Sequence, residues 1–188
     1  MADKIVIEIY RKKDPEELTA VLADPEGKLD IASSAALTAA NACAMGLRAA
    51  RLAKGDEERL DYLRRNLDKL RGYMVYLIDE DTKGRSIMAR AKKEGDEQKI
   101  DAAIHSIVAI SDEIVNQMCN VLDLLSELSE LDAASCAPYL GSAVNDCMAA
   151  LHSARLFILD ATRRSTDETY VYISKRENEL RLEEYAPK

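Results

Sequence analysis

The sequence lacks any apolar run long enough to cross a membrane as a helix. A membrane span needs about 18 or more consecutive apolar residues, and Arg48 and Arg51 interrupt the most apolar segment. The N-terminal segment "MADKIVIEIYRKKD" contains only a short apolar run beside charged residues, so we expect no signal peptide. We therefore expect a cytoplasmic protein without a membrane partner.

Cysteine and histidine are too few, and too widely spaced, for the usual metal and redox motifs. The four cysteines show no CxxC spacing, so we expect reduced thiols, mostly packed in the interior. The two histidines, His105 and His152, each lack the Glu three residues earlier that carboxylate-bridged metal sites in helical bundles require. No phosphate-binding loop, dinucleotide fingerprint or serine-hydrolase motif is present. The sequence predicts no metal and no bound cofactor.

Positive charge is also in short supply. The formal net charge is −8, with 26 Lys and Arg against 34 Asp and Glu. No basic cluster with interleaved aromatic residues offsets this balance, and such a cluster is what binding to a phosphate backbone requires. We therefore expect no nucleic-acid partner.

Helix-breaking residues are scarce as well, with 7 Gly and 4 Pro, and most of them lie near the chain ends or at breaks between the predicted helices. Between those breaks, apolar residues recur at spacings of three and four, which predicts an all-α, antiparallel bundle of five to six helices in a single domain, 1–188. The alternation in "IVIEIY" allows a short strand from Ile5 to Tyr10. The predicted helices are 15–23, 34–53, 56–93, 97–131, 141–163 and 165–184.

One of these helices is unusually rich in alanine. Nine of the 20 residues from Ser34 to Ala53 are Ala. A flexible linker would be polar and rich in glycine, and a membrane helix would exclude Asn41 and the two arginines. Alanine is the best helix former, and its methyl side chain lets neighbours approach closely. The segment is therefore predicted to be the central helix of the bundle.

Acidic residues interrupt the apolar face of the long helix 56–93. In "YLIDEDTKGRSIM", Asp81 lies four residues after Leu77 and seven after Met74, so it continues the apolar stripe, while Asp79 points elsewhere. A carboxylate on a core-facing stripe needs a partner or a function. Two interpretations remain open: a solvated acidic turn paired with Arg85, or a partly buried acid that lines a pocket.

Several segments together resemble one known family, the cyclodeaminase/cyclohydrolase proteins. The resemblance extends from about Pro15 to Glu184 and is carried by "SSAALTAANACAMGL", "LIDEDTKGRSIMARAKK", "YLGSAVNDCMAALHSA" and "TDE". It implies an all-helical homodimer that binds a one-carbon-substituted tetrahydrofolate near the subunit interface. The reactions that it implies require no metal or redox cofactor, and the folate derivative would be the substrate.

The resemblance also implies site residues. Asp81 matches the family's carboxylate and would be catalytic. The segment "DIASS" stands where the family has a glycine-rich "PGGGS" loop, and the "YLG" segment stands where it has "DLG". Arg85 replaces an aromatic residue. The positions implied for substrate binding are Asp30, Ser33, Ser34, Asp79 and Tyr139.

Three functions follow as hypotheses. The first is a methenyltetrahydrofolate cyclohydrolase or formimidoyltetrahydrofolate cyclodeaminase. The second is a diverged, catalytically inactive member that holds another small ligand in the same cleft. The third is a structural helical dimer that binds partner proteins.

Overall fold

All the regular secondary structure in the described part of the protein is helical. The computed structural model describes residues 9–165, 167, 168 and 170. A short 3-10 helix precedes four α-helices, and the described residues contain no strand. The elements are the 3-10 helix Tyr10–Lys12, α1 (Pro15–Ala23), α2 (Ile31–Leu52), α3 (Glu57–Glu94) and α4 (Glu97–Thr162). The prediction of an all-α bundle is confirmed.

Local sequence chemistry explains where the helices begin and end. The Asp14 carboxylate caps α1 by accepting a hydrogen bond from the backbone N–H of Glu17 at 2.9 Å. Gly95 ends α3 with a left-handed φ of 68°, a conformation that costs glycine little. Asp96 then caps α4 by accepting from the backbone N–H of Lys99.

The predicted helix count of five to six is too high for the described residues. The predicted helices 97–131 and 141–163 form one element, α4, interrupted by a single non-helical residue, Asp132 (φ −162°, ψ 77°). Asp132 caps the second half by accepting from the backbone N–H of Ser135, and it also accepts from the N–H of Lys54. The turn predicted around Pro138 is therefore helical.

Two predicted elements, one at each end of the chain, fall largely outside the described residues. Most of the predicted strand Ile5–Tyr10 lies outside the described residues, and its last residue belongs to the 3-10 helix instead. The predicted helix 165–184 likewise falls almost entirely outside them. None of the four cysteines forms a disulfide, as predicted. Within the described part of the chain, no helix is both long and apolar enough to cross a membrane.

The alanine-rich helix α2 is the centre of the bundle. It packs against both α3 and α4, and most of its alanines are fully buried. At Gly46 even a methyl group would lie 2.8 Å from Leu125 Cδ2 and 3.3 Å from Leu67 Cδ2. The small side chains of α2 therefore allow a close approach of all three long helices, as the composition predicted.

Candidate functional site

The site is built around Asp81, in the middle of α3. The Leu77 and Met74 side chains that precede it on the same face are buried, and Asp81 itself is 0% exposed. Leaving a carboxylate in such surroundings without partners would cost several kcal/mol or more. The position thus requires donors from neighbouring elements.

Two side chains provide those donors. The Ser33 hydroxyl, in the first turn of α2, donates to Asp81 Oδ2 at 2.5 Å. Arg85, one turn further along α3, places its Nε 3.2 Å from Oδ1 and 3.1 Å from Oδ2. Burial raises the pKa of Asp81, and the charge of Arg85 and the Ser33 hydrogen bond partly offset this. The predicted pairing with Arg85 is confirmed, but the acid is buried rather than solvated.

Arg85 extends the cluster towards the surface. Its Nη1 donates to Asp30 Oδ2 at 2.5 Å, and Asp30 in turn caps α2 by accepting from the backbone N–H of Ile31. The guanidinium carbon lies 5.0 Å from the centre of the Phe157 ring on α4. Its Nη2 is buried without a hydrogen-bond partner in the described structure. We call Ser33, Asp81, Arg85 and Asp30 the carboxylate–arginine cluster.

A cavity adjoins the exposed end of this cluster. It has a volume of about 590 Å³, within the range typical of small-molecule sites, and it lies between the α1–α2 loop, the start of α2 and the last turns of α4. Asp30 and Ser34 line it, together with Gly27, Ser153 and Leu156. Asp30 is therefore shared by the cavity and the cluster, which connects the buried Asp81 to a space large enough for a ligand.

Asp79, one of the predicted binding residues, faces a different part of the protein. Its Oδ1 accepts from the backbone N–H of Arg11, and its Oδ2 lies 3.2 Å from Arg11 Nε. Asp79 thus fixes the 3-10 helix segment to α3 and is not brought to Asp81. This agrees with the expectation that residues two apart do not share a helix face.

Tyr139 is also remote from Asp81. It precedes Phe157 by 18 residues on α4, which is roughly 27 Å at the rise of an α-helix. Its ring instead packs against the guanidinium of Arg48, whose Cζ atom lies 4.8 Å from the ring centre. The structure therefore brings together Asp30, Ser33, Ser34 and Asp81, and separates Asp79 and Tyr139 from them.

Three members of the site were not predicted: the bridging position of Arg85, the Phe157 ring beneath it, and Ser153 in the cavity wall. Only Arg85 had a signal in the sequence, its spacing of four from Asp81. The contact with Phe157 depends on how α4 packs on α3, which no local pattern records. No group of three or more potential metal ligands occurs in the described part of the chain.

Comparison with known proteins identifies what the chain is similar to. The family model described as "Formiminotransferase-cyclodeaminase" matches residues 32–179. The fold is similar to the crystal structure of formiminotetrahydrofolate cyclodeaminase from Thermotoga maritima, with a TM-score of 0.82 and 16% sequence identity. That likeness covers 92% of this chain and 91% of the other. None of the curated proteins matches the sequence.

Proposed function

Because the chain belongs to the formiminotransferase-cyclodeaminase family, we propose that it acts on a one-carbon-substituted tetrahydrofolate as a cyclodeaminase or cyclohydrolase. In this proposal Asp81 stabilises the cationic carbon centre and moves the proton. The cavity beside Asp30 and Ser34 receives the substrate. The membership rests on the family match over residues 32–179.

Both reactions place positive charge on a planar N–C–N group. In cyclodeamination the second folate nitrogen attacks the formimino carbon, and the former imino nitrogen leaves as ammonia after gaining protons. In hydrolysis a water oxygen adds to the methenyl carbon, one C–N bond breaks and a proton is released. A buried carboxylate can stabilise the cation and accept or return the proton.

The observation that carries this proposal is the environment of the Arg85 guanidinium. A guanidinium is a planar, delocalised cation, and so is the amidinium group of the substrate. Asp81 Oδ2 accepts from Arg85 Nε at 3.1 Å, and the guanidinium carbon lies 5.0 Å from the centre of the Phe157 ring. The pair of Asp81 and Phe157 is thus suited to a planar N–C–N cation.

Substrate binding then requires an exchange of cations. Asp81 is 0% exposed, so the substrate's amidinium takes the place of Arg85 as the counter-ion of the carboxylate. Arg85 can remain on Asp30, which is about half exposed and lines the cavity. The raised pKa of Asp81 favours its proton-accepting role, since a base is most effective when its pKa approaches the working pH.

The test is turnover of the two substrates by the purified protein. Methenyltetrahydrofolate is followed by the loss of its absorbance, and formiminotetrahydrofolate by the release of ammonia. Asp81→Asn should lower the rate by roughly 10²–10⁴-fold, the usual contribution of general acid–base catalysis. Asp79→Asn is the matched control, because Asp79 contacts Arg11 rather than the cluster. Absence of turnover, or equal losses in both variants, would contradict the proposal.

A second function is favoured by the enclosure of Asp81. A carboxylate that is fully buried and neutralised by its own arginine suits a diverged member that binds a small ligand without converting it. Saturable binding of the folate without turnover would support this alternative. With neither binding nor turnover, a structural dimer that binds other proteins is the remaining hypothesis.

We further propose that the protein is a cytoplasmic homodimer. The helix α3 has 38 residues, and the part of α4 before its kink at Asp132 is nearly as long, which is long for a monomer of this size. Light scattering at micromolar concentration should give twice the chain mass, and a monomer would contradict this.

A further inference from the structure

A cluster of arginines surrounds a second cavity, far from Asp81. The cavity has a volume of about 450 Å³ and lies between α2 and α3. Arg48 and Arg51 of α2 and Arg71 of α3 line it, with Asp68 as the one acidic lining residue. Arg48 follows Ser33 by 15 residues on α2, roughly 22 Å along the helix, so this is a separate place on the molecule.

The charge of this arginine cavity is not balanced by the protein. Neighbouring arginines of α3 are paired with carboxylates, for example Arg59 with Glu127 and Arg64 with Glu57. Arg48 and Arg51, in contrast, have no carboxylate within ion-pair distance in the described part of the chain. Arg71 has a partner in Asp68.

An excess of two positive charges therefore remains in one cavity of a protein whose net charge is −8. All three arginines are exposed, and like charges that line one cavity repel one another less when an anion binds among them. The cavity thus has the charge to attract a small anion even though the whole protein is acidic.

Two of the guanidinium groups are held in place before any ligand arrives. Arg48 lies over the Tyr139 ring at 4.8 Å, and Arg71 donates through Nε and Nη2 to Asp68 Oδ1 at 3.0 and 2.9 Å. Less side-chain freedom is then lost on binding. Guanidinium groups also match the geometry of carboxylate and phosphate oxygens with paired donors.

Helix-end electrostatics explains only part of this arrangement. Arg51 lies in the last turn of α2, where a cation is favoured by the helix dipole. That effect falls off within one turn, and it does not account for Arg71, which projects into the same cavity from the interior of α3. Convergence from two helices is the feature that indicates a binding site.

We propose that the arginine cavity binds a dianionic group, either a phosphate or a pair of carboxylates. Arg48 and Arg51 provide the free donors, and Arg71 completes the positive wall. Tyr139 supports Arg48, which gives this residue a role outside the Asp81 site.

Calorimetric titration tests the site, with inorganic phosphate in one arm and citrate in the other, at low and physiological salt. Saturable binding with one site per chain is expected in at least one arm, and the arms distinguish phosphate from carboxylate. Arg48→Gln and Arg51→Gln should each weaken binding by about tenfold or more, the loss expected for a charge-assisted hydrogen bond.

Arg65→Gln is the matched control, because Arg65 is an exposed arginine of α3 that does not line the cavity. It should bind like the unmodified protein, and circular dichroism confirms that each variant is folded. No saturable binding in either arm, or equal weakening in the Arg65 variant, would overturn the proposal. Asp81→Asn should retain the binding, so this result is independent of the proposed folate reaction.

Discussion

Ser33 and Asp81 are 48 residues apart in the chain, and a hydrogen bond of 2.5 Å between Ser33 Oγ and Asp81 Oδ2 joins them. The bond connects the first turn of α2 to the middle of α3, and both residues are buried, at 2% and 0% exposure. Water cannot replace the hydroxyl without a rearrangement. The stability of the helix pair and the ionisation of the carboxylate therefore depend on the same contact.

Ser33→Ala should lower the free energy of unfolding by about 1–3 kcal/mol, since a buried acceptor loses its donor. Ser34→Ala is the matched control, because the neighbouring serine is half-buried and its side chain makes no hydrogen bond in the described structure. We expect a change within about 0.5 kcal/mol for that variant. Urea denaturation measures both, and equal losses would contradict the structural role of Ser33.

The two ion pairs of Arg85 should differ in their contribution to stability. Arg85→Gln leaves the fully buried Asp81 without its cation, so the loss should be about 3 kcal/mol or more at neutral pH. Asp30→Asn removes only the half-exposed partner, and Asn remains a good N-cap for α2, so about 1 kcal/mol or less is expected. Thermal and urea unfolding of the two variants decide this. Similar losses would show that the burial of Asp81 has little energetic consequence.

The sequence predicted the parts of this structure that depend on one helix at a time. Periodicity on α3 placed Asp81 on the same stripe as Leu77 and Met74, and alanine content identified α2 as the central helix; the burial of Asp79 against Arg11 was not predicted. The end of a helix at Leu131 was predicted, and the break lies at Asp132, but the predicted break was too long, because Pro138 and the small residues before it are typical of a turn and are helical here. Asp132 caps the second half of α4 by accepting from the backbone N–H of Ser135, and the two halves meet at a kink.

Contacts between helices were harder to predict. Tyr139 aligns with a site residue of the family. It lies 18 residues before Phe157 on α4, and this separation along the helix keeps it away from Asp81. The cavity beside Asp30 depends on how the α1–α2 loop folds over the last turns of α4. Neither the position of Tyr139 nor this cavity is indicated by a periodic pattern in the sequence, so both are seen only in the packed structure.

Stability should depend on pH through Asp81. Burial raises its pKa above the value of about 3.9 expected in the unfolded chain. The folded protein therefore keeps this proton to a higher pH than the unfolded chain does. The stabilisation from Asp81 is complete below the unfolded pKa and is lost as the pH rises through the folded pKa.

Asp81→Asn isolates this contribution, because the amide does not titrate. As the pH is raised from about 4 to 7, the stability of the unmodified protein relative to Asp81→Asn should fall. Urea unfolding of both proteins across that range measures the difference. A difference that is constant, or that changes in the opposite direction, would show that Arg85 and Ser33 fully compensate the burial.

The last prediction concerns the close packing of α2. Glycine inside a helix costs about 1 kcal/mol relative to alanine, so replacement by alanine stabilises a helix wherever there is space. At Gly72, on the exposed side of α3, a methyl group would meet nothing within 4 Å, and Gly72→Ala should stabilise the protein by about 0.5–1 kcal/mol. At Gly46 the same methyl group would lie 2.8 Å from Leu125 Cδ2 and press on Leu67.

Gly46→Ala should therefore destabilise the protein by roughly 1–3 kcal/mol despite its better helix propensity, because the core must shift to accept the added volume. The two substitutions are chemically identical and both lie within helices, so the opposite signs isolate the effect of packing from that of propensity. Chemical denaturation gives both values under the same conditions. If Gly46→Ala were as stabilising as Gly72→Ala, α2 would not pack as closely against α4 as the structure shows, and its alanines would reflect helix propensity alone.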